Sequence, residues 1–279
     1  MCQYIRAFSE RKAKSAFPES AGTVQKCNQV MTTHTYDNAF LQYTAQSSAY
    51  SARATTSILS AQLGVKSVLD VGCAMGTWLH AWAECGVTDY HGVDGDYVDR
   101  RRLEIPTTAF TAVDLSAKFD LGRQFDLVQS LEVGEHLETR AAEGFVDSLA
   151  RHALRYVLFS AAPPGQGGEF HINERPYEFW REKLARRGFV AIDAVRPAIA
   201  VDARISYWYR YNTFLFVRHE AMAGLPADLR TKVVAESTPL ADVSPLPFRL
   251  RKAFVRLLPY RMQHEIARLK AHILPTGRI

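Results

Sequence analysis

Short apolar runs and longer amphipathic stretches alternate along this chain. The first run, Ser67–Val71, places Val68 and Leu69 before Asp70, and similar runs with polar ends follow at intervals of about 20 residues. Short apolar runs of this kind are typical of parallel strands that are covered on both faces. The pattern therefore predicts an open α/β sheet that binds a ligand at the carboxyl ends of its strands.

The other periodic segments predict helices and further strands. Helical spacing extends over residues 36–63 and stops at Gly64, a residue type that readily ends a helix. Later in the chain, helices are predicted at 141–152 and 177–187, and strands at 156–160, 189–195 and 206–217.

The loop after the first strand has the pattern D-x-G-x-A-x-G, from Asp70 through Gly72 and Ala74 to Gly76. Glycine lets the backbone adopt unusual angles and allows a ligand to approach closely. The pattern lacks the glycines of the dinucleotide fingerprint G-x-G-x-x-G, which argues against an NAD-dependent oxidoreductase. Because Asp70 would repel a pyrophosphate, the loop better suits a cofactor that carries an ammonium and a sulfonium group.

Four strand-and-tip segments in this order make residues 36–220 resemble the class I S-adenosylmethionine-dependent methyltransferases. Beyond Ser67–Val71, these segments are HGVDGDYVD at 91–99, TAVDLS at 111–116 and FDLVQSLEVGEHLE at 125–138. Within the class, the chain is most similar to bacterial methyltransferases with SLEV-x-EH, GGxxHxNExP and WYRxN segments, at 130–136, 167–176 and 208–212. The resemblance implies a doubly wound, mostly parallel, seven-stranded Rossmann-like α/β sheet with helices on both faces.

The same resemblance assigns the cofactor site. Asp94, with Asp96 as a weaker rival, should bind the ribose hydroxyls, and Asp114 with Leu115 should bind the adenine. Ala74 replaces a glycine that the family usually has, so a slightly tighter pocket is expected. The full set of residues expected to bind S-adenosylmethionine is Asp70, Gly72, Ala74, Gly76, Asp94, Asp114, Leu115 and Ser130.

SLEVGEHL carries the candidate chemistry. Glu132, Glu135 and His136 stand at i, i+3 and i+4, and would share one face if the segment became helical. A similar E-x-x-E-H with a remote histidine holds a divalent metal in methyltransferases that act on the terminal ribose of small RNAs, and a related motif occurs in O-methyltransferases of quinone biosynthesis. The resemblance makes Glu132, Glu135, His136 and His171 metal ligands, with Glu135, His136 and His171 as the catalytic group.

Oxygen and nitrogen ligands suit Mg²⁺ or another divalent metal such as Mn²⁺ or Co²⁺. A metal-free alternative leaves His136 as a general base, with activity rising near its ordinary pKa of about 6.5. A purely structural role for these acids stays open as a third interpretation. Asn173, Glu174, Tyr209 and Asn212 are expected to shape the acceptor pocket.

The net charge of +5 is unevenly distributed. Residues 244–279 hold eight Lys or Arg against one acid, Glu265, and residues 1–30 hold five against two, which leaves residues 31–243 at about −5. A mildly acidic core makes nucleic acid an unlikely partner. Four cysteines without paired spacing, and no apolar run of membrane-spanning length, favour a cytoplasmic protein.

The predicted organisation has five parts. They are a flexible leader at 1–30, with Met31 as an alternative start, a helical lid at 31–65, the methyltransferase domain at 66–220, a linker at 221–243 and a basic amphipathic helical tail at 244–279. The segment expected as a lid could equally be a packing helix.

The tail is expected to form two helices. Pro247 and Pro259 can each open one. Phe254, Leu257 and Leu258 should line the first, and Met262, Ile266, Leu269 and Ile273 the second. Docking onto the tail's own domain, or onto a second copy in a homodimer, is favoured over contact with an anionic membrane surface.

These observations favour an O-methyltransferase that uses S-adenosylmethionine and is assisted by a divalent metal, acting on a hydroxyl of a small-molecule or saccharide acceptor. An RNA ribose 2′-O-methyltransferase and a catalytically silent partner subunit with the same fold are the alternatives.

Overall fold

The computed structural model describes residues 38–259, 261–262 and 265–266, with side chains described from residue 48 onward. The predicted leader, the alternative start at Met31 and most of the second tail helix lie outside these residues.

A seven-stranded sheet forms the centre of the molecule. Its strands in chain order are β1 (Ser67–Val71), β2 (Asp89–Asp94), β3 (Phe110–Ala112), β4 (Phe125–Leu131), β5 (Ala153–Ser160), β6 (Phe189–Ile192) and β7 (Phe214–Arg218). Their spatial order is β3-β2-β1-β4-β5-β7-β6. All neighbouring pairs are parallel except those that β7 makes with β5 and β6. The predicted doubly wound, mostly parallel sheet is confirmed.

Helices cover both faces of the sheet. The α-helices are α1 (Asn38–Leu63), α2 (Thr77–Glu84), α3 (Ala142–His152), α4 (Tyr177–Ala185), α5 (Val195–Ile199), α6 (Tyr207–Asn212), α7 (Ala227–Arg230) and α8 (Leu246–Val255). Successive residues of one strand enter different apolar clusters: Val68 of β1 packs with Trp82 of α2, whereas Leu69 belongs with Phe145 of α3. This alternation is what a strand buried on both faces requires.

Two segments after β5 differ from the predicted strands. The strand predicted at 189–195 ends at Ile192, where Asp193 accepts hydrogen bonds from Arg196 Nε at 2.8 Å and Nη2 at 2.5 Å and the short helix α5 follows. Residues 206–217, including the WYRxN segment, are α6 followed by β7 rather than one strand. Aromatic residues favour strands by propensity, but here Tyr209 packs edge-on against Trp78 at 5.0 Å. Tertiary packing therefore decides the local structure.

The segment predicted as a linker packs along the edge of the sheet. Val233 forms a bridge to Ile192, and Val234 N–H donates to the Ala191 carbonyl at 3.0 Å. Leu229 and Leu240 are buried. The segment covers strand β6, which would otherwise be an unpaired edge.

Helix α8 begins with proline in its first turn, as predicted from Pro247, and rests on the catalytic domain. The face that docks differs from the expected one. Phe248 and Lys252 contact the domain, whereas Phe254 and Leu257 are 63% and 81% exposed. The ring contact of Phe248 with Tyr207 and the hydrogen bond of Lys252 with Asp242 account for this orientation. Among the described helices, none has the length and apolar character needed to cross a bilayer.

Candidate functional site

The turn between β1 and α2 has three residues in the left-handed backbone region. Their φ angles are 87° at Gly72, 47° at Ala74 and 85° at Gly76. The N–H groups of Gly72 and Cys73 both donate to the carbonyl of Val93 in β2, at 2.8 and 3.2 Å. The loop is therefore fixed to two strands, and it leads directly into the first turn of α2.

Neighbouring side chains explain why two of these positions are glycine. A Cβ on Gly72 would overlap Val133, and one on Gly76 would lie 2.8 Å from Ile105 Cγ1. Ala74 adopts the same left-handed backbone conformation although it carries a Cβ. This conformation costs an L-residue roughly 1 kcal/mol of free energy. The alanine noted in the sequence is thus a strained position within the loop.

Asp94, at the end of β2, holds that strained position in place. Its Oδ2 accepts from Ala74 N–H at 2.7 Å, and its Oδ1 accepts from Gly95 N–H at 2.7 Å and from the Tyr97 hydroxyl. Burial nonetheless raises the pKa of Asp94, which is 3% exposed. The carboxylate expected to bind ribose is already oriented by the protein.

Asp70 lies at the carboxyl end of β1 and is 3% exposed. Burial raises its pKa to about 7, and the nearby charge of Asp94 acts in the same direction. A cationic ligand at this carboxylate would favour its charged form.

The remaining residues expected at the cofactor have different surroundings. Asp114 is exposed, and its Oδ1 accepts from the N–H and hydroxyl of Ser116 at 2.9 and 2.6 Å. Leu115 is buried. Ser130 is fully buried, and its hydroxyl donates to the Val71 carbonyl at 2.7 Å, so its proton is used to join β4 to β1.

Three of the four expected metal ligands converge. Ligand atoms of Glu135, His136 and His171 lie within 4.8 Å of one another. The two imidazole rings meet edge-on at 5.0 Å, and His171 Nε2 is 4.0 Å from Glu135 Oε1.

The backbone brings them together in a different way from the expected helix. Residues Gly134–His136 form a single 3-10 turn, and Glu132 precedes it with a φ of 56°. An i, i+3, i+4 helical face therefore does not exist here. The left-handed residue redirects the chain, and within the described residues the three-ligand group excludes Glu132.

Backbone hydrogen bonds attach the loop that carries His171 to this turn. The N–H groups of Ile172 and Asn173 both donate to the Glu135 carbonyl at 2.9 Å. Asn173 Nδ2 also donates to the Gly134 carbonyl at 3.3 Å. The remote histidine is thus placed by main-chain contacts to the ligand that it faces.

Glu135 is fully buried, and its carboxylate oxygens have no hydrogen bond of standard geometry within the described residues, although weaker contacts with the backbone of Glu135 and Ala162 partly oppose the effect of burial on its pKa. Burial, reinforced by the charge of Glu132, raises its pKa well above the usual range. Burying a carboxylate without a partner is costly, so this group fits a site that is completed by a cation.

His136 is held as a neutral imidazole. Burial and the neighbouring His171 lower its pKa to about 3, despite a hydrogen bond with the backbone of Phe170. Neutral imidazole is the form that coordinates metals. The expected titration near 6.5 for a metal-free base therefore does not match this environment.

Glu132 has a separate polar contact that sequence reasoning missed. Its Oε2 accepts from Gln166 Nε2 at 2.7 Å, and Gln166 Oε1 accepts from Asn212 Nδ2 at 2.7 Å. Within the described structure, Glu132 Oε1 has no hydrogen bond of standard geometry, although Ser160 and Asn212 also lower the pKa of this carboxyl against the effect of burial. Gln166 stands in a glycine-rich loop, and its hydrogen bond with Glu132 joins residues 34 positions apart in the chain. No local sequence pattern therefore identified it.

Glu174 orients the remote histidine. Its carboxylate accepts from the N–H groups of Gly165 at 2.6 Å and Gly167 at 2.7 Å, and from His171 Nδ1 at 2.9 Å. A proton fixed on Nδ1 leaves the Nε2 lone pair facing Glu135. Carboxylates that orient ligating histidines in this way are common around metal sites.

The fold and the site define the class of protein. A glycine-containing turn after β1, an acid at the end of β2, and an antiparallel β7 inserted between β5 and β6 are the arrangement of class I S-adenosylmethionine-dependent methyltransferases.

Comparison with known families agrees with this arrangement. A family model described as a methyltransferase domain matches residues 40–188, more than half of the chain. The chain therefore belongs to the methyltransferase domain family. No curated protein matches its sequence significantly.

Comparison with solved structures finds methyltransferases of low sequence identity. The sugar N-methyltransferase KedS8 from Streptoalloteichus sp. ATCC 53650 is 18% identical, with 74% of this chain and 99% of that chain covered and a TM-score of 0.49. Magnesium protoporphyrin IX methyltransferase from Synechocystis PCC 6803, with bound S-adenosylmethionine, is 21% identical, with 66% and 88% covered and a TM-score of 0.45. A provisionally assigned O-methyltransferase from Nostoc punctiforme PCC 73102 is 14% identical, with 64% and 59% covered and a TM-score of 0.50.

Proposed function

We propose that this S-adenosylmethionine-dependent methyltransferase transfers the methyl group to a hydroxyl of a small-molecule or saccharide acceptor, with a divalent metal held by Glu135, His136 and His171. The proposal rests above all on Glu135. Its buried carboxylate has no hydrogen bond of standard geometry among the described residues and faces two imidazoles at the ligand-bearing edge of the sheet.

The donor set supports an oxygen-preferring or borderline cation. One carboxylate and two imidazoles, without a thiolate, suit Mg²⁺, Mn²⁺ or Co²⁺. When bound, such a cation would lower the pKa of the acceptor hydroxyl, as it does for water.

The protein's own residues supply binding, alignment and proton transfer. In this proposal Asp70 binds the ammonium group of the cofactor, and Asp94 with the 70–76 loop fixes the ribose. Glu132 lies close enough to Glu135 to raise the pKa of that carboxyl, and burial raises the pKa of Glu132 itself, so in this proposal Glu132 takes up the hydroxyl proton. Aligning donor and acceptor then supplies most of the remaining rate enhancement.

The alternatives are less well supported. A pKa of about 3 makes His136 a weak base on its own. A mildly acidic core disfavours RNA as the acceptor.

The test combines labelled S-adenosylmethionine with a cell metabolite extract and measures methyl transfer. Exhaustive chelation should abolish transfer, and Mg²⁺, Mn²⁺ or Co²⁺ should restore it. Glu135→Gln should lower transfer by at least about a hundredfold, since even changes around the ligands cost 10- to 100-fold.

The matched control is Glu138→Gln, because Glu138 is an exposed acid three residues further on that pairs with Arg140. Absorption of Co²⁺ bound to the wild type, and its loss in Glu135→Gln, gives a readout that is independent of activity. Full transfer after chelation, together with wild-type transfer by Glu135→Gln, would overturn the metal assignment.

A further inference from the structure

Helix α8 is held against the domain along one of its sides. Phe248 contacts two aromatic rings of α6, at centroid distances of 5.2 and 5.8 Å, and Lys252 forms an ion pair with Asp242 at 2.5 Å. At the end of the helix, Arg256 Nε donates to the Pro164 carbonyl at 2.9 Å. These contacts fix the rotation of α8 about its own axis, and they determine which side of the helix faces away from the domain.

The outward side of α8 carries an apolar stripe. Leu246, Leu250 and Phe254 follow one another at intervals of four residues, and Leu257 lies in the turn after the helix. The four side chains are 59%, 62%, 63% and 81% exposed. Residues four apart share one face of a helix, so these side chains form a single patch. Large apolar residues that are exposed together in this way mark an interaction site.

Arginines border this stripe. At 3.6 residues per turn, Arg249 lies on one flank of the stripe and Arg251 on the other. Neither forms an ion pair with an acid in the part of the chain that the structure describes. Residues 244–264 contain five Lys or Arg and no Asp or Glu. An apolar face between basic flanks is the pattern of helices that lie in the interface of an anionic membrane.

We propose that α8 binds the surface of an anionic lipid membrane through this stripe. Leu250 and Phe254 insert at the boundary between headgroups and acyl chains, and the stems of Arg249 and Arg251 extend along the stripe so that the guanidinium groups reach lipid phosphates. Because α8 is already folded and oriented on the domain, binding does not require this segment to become ordered. The inference is independent of the acceptor and of the metal.

A second copy of the chain matches the stripe less well. In a two-fold contact the same surface meets itself, so the arginine flanks of both copies would come together. The helix has no acid that could neutralise them. Like charges facing each other weaken such an interface, whereas the same arginines are attracted to anionic lipid.

Co-sedimentation of the full-length protein with vesicles tests the proposal. One set of vesicles is phosphatidylcholine alone, and in the other phosphatidylglycerol replaces about a third of it. The wild type should bind the anionic vesicles at least about tenfold more tightly than the neutral ones, and added salt should weaken this binding.

Variants locate the binding surface. Leu250→Ser combined with Phe254→Ser should weaken binding to anionic vesicles by about tenfold, since two inserted apolar side chains are lost without any change in charge. Arg249→Gln should weaken it by about fivefold, as expected for one basic residue at an anionic surface.

The matched controls are Leu154→Ser and Arg151→Gln, which should bind like the wild type. Leu154 is 49% exposed and Arg151 is also exposed, and both lie near the amino end of β5. The carboxyl end of that strand leads to the loop that α8 contacts, so the controls lie at the opposite end of the sheet. Circular dichroism melting should show that all variants fold like the wild type.

Absence of vesicle binding, or equal binding to the two lipid compositions, would overturn the proposal. Equal effects of the α8 variants and the controls would do the same. Light scattering that shows a dimer, lost when Leu250 and Phe254 are replaced, would assign the stripe to a second copy instead. None of these measurements uses methyl transfer, so this proposal and the proposed function can fail separately.

Discussion

Two buried acids at the same edge of the sheet have opposite surroundings. Asp94, at the cofactor turn, accepts two backbone N–H groups and a tyrosine hydroxyl. Glu135, at the turn after β4, has no hydrogen bond of standard geometry within the described residues and only weaker contacts with the backbone of Glu135 and Ala162. The first carboxylate is held by the protein's own backbone, whereas burial of the second is compensated much less by the protein itself. A buried acid that the protein satisfies poorly thus points to a ligand more strongly than one that the protein satisfies well.

The largest expected effect comes from altering these two acids in turn. Asp94→Asn should destabilise the protein by about 1.5–3 kcal/mol because a charge-assisted hydrogen bond is lost. Glu135→Gln in metal-free protein should raise stability by about 1–3 kcal/mol because an unpartnered carboxylate is removed. Denaturant unfolding in the presence of a chelator measures both values.

Substitutions at Asp94 and Glu135 should also differ in their effect on the affinity for the cofactor. Asp94→Ala should weaken S-adenosylmethionine binding measured by calorimetry, while Glu135→Gln should leave it nearly unchanged. If the two variants change stability in the same direction, or if Asp94→Ala binds the cofactor normally, the contrast between the two acids does not hold.

A smaller effect is expected from the residue that orients the remote histidine. Glu174→Gln should weaken metal affinity by about 10- to 100-fold, since Nδ1 of His171 loses its carboxylate. Competition with a coloured chelator measures this affinity. Glu169→Gln is the control, because Glu169 lies in the same loop without a hydrogen bond to His171 in the described structure. Equal affinity of the Glu174 and Glu169 variants would remove Glu174 from the site.

The smallest effect concerns pH at the cofactor turn. Asp70 has a pKa of about 7 in the free protein, and a bound ammonium group favours its charged form, so binding releases a proton. Affinity for S-adenosylmethionine should therefore rise from pH 5 to 7, by at most about tenfold per unit, and level off above pH 7. Calorimetry in two buffers should detect the proton, and Asp70→Asn should flatten the profile. A flat wild-type profile would place the ammonium group elsewhere.

The strands of the cofactor half could be read from the sequence, because each is a local apolar run that ends in a polar residue. Ser67–Val71 begins and ends as predicted, and Gly64 follows α1 with a φ of 57°. Such features depend on residues close together in the chain. Local sequence therefore carries most of this half of the fold.

The cluster of Glu135, His136 and His171 was predicted only in part, because its geometry depends on distant contacts. Three of the four expected ligands converge. The fourth, Glu132, has a left-handed backbone conformation that a glutamate rarely adopts, so the sequence did not predict it. Gln166 acquires its role only through contacts with residues 34 and 46 positions away. The face of α8 that contacts the domain could not be predicted, because local periodicity identifies an apolar stripe but not the surface that the stripe faces.

The contact between Arg256 and Pro164 has a consequence for the order in which the enzyme is made. The two residues are 92 positions apart, so a growing chain presents the glycine-rich loop long before the helix that clamps it. The strands and the turn that are expected to hold the methyl donor are all translated earlier. A nascent chain can thus form the half that is expected to bind the methyl donor before α8 leaves the ribosome and packs against this loop.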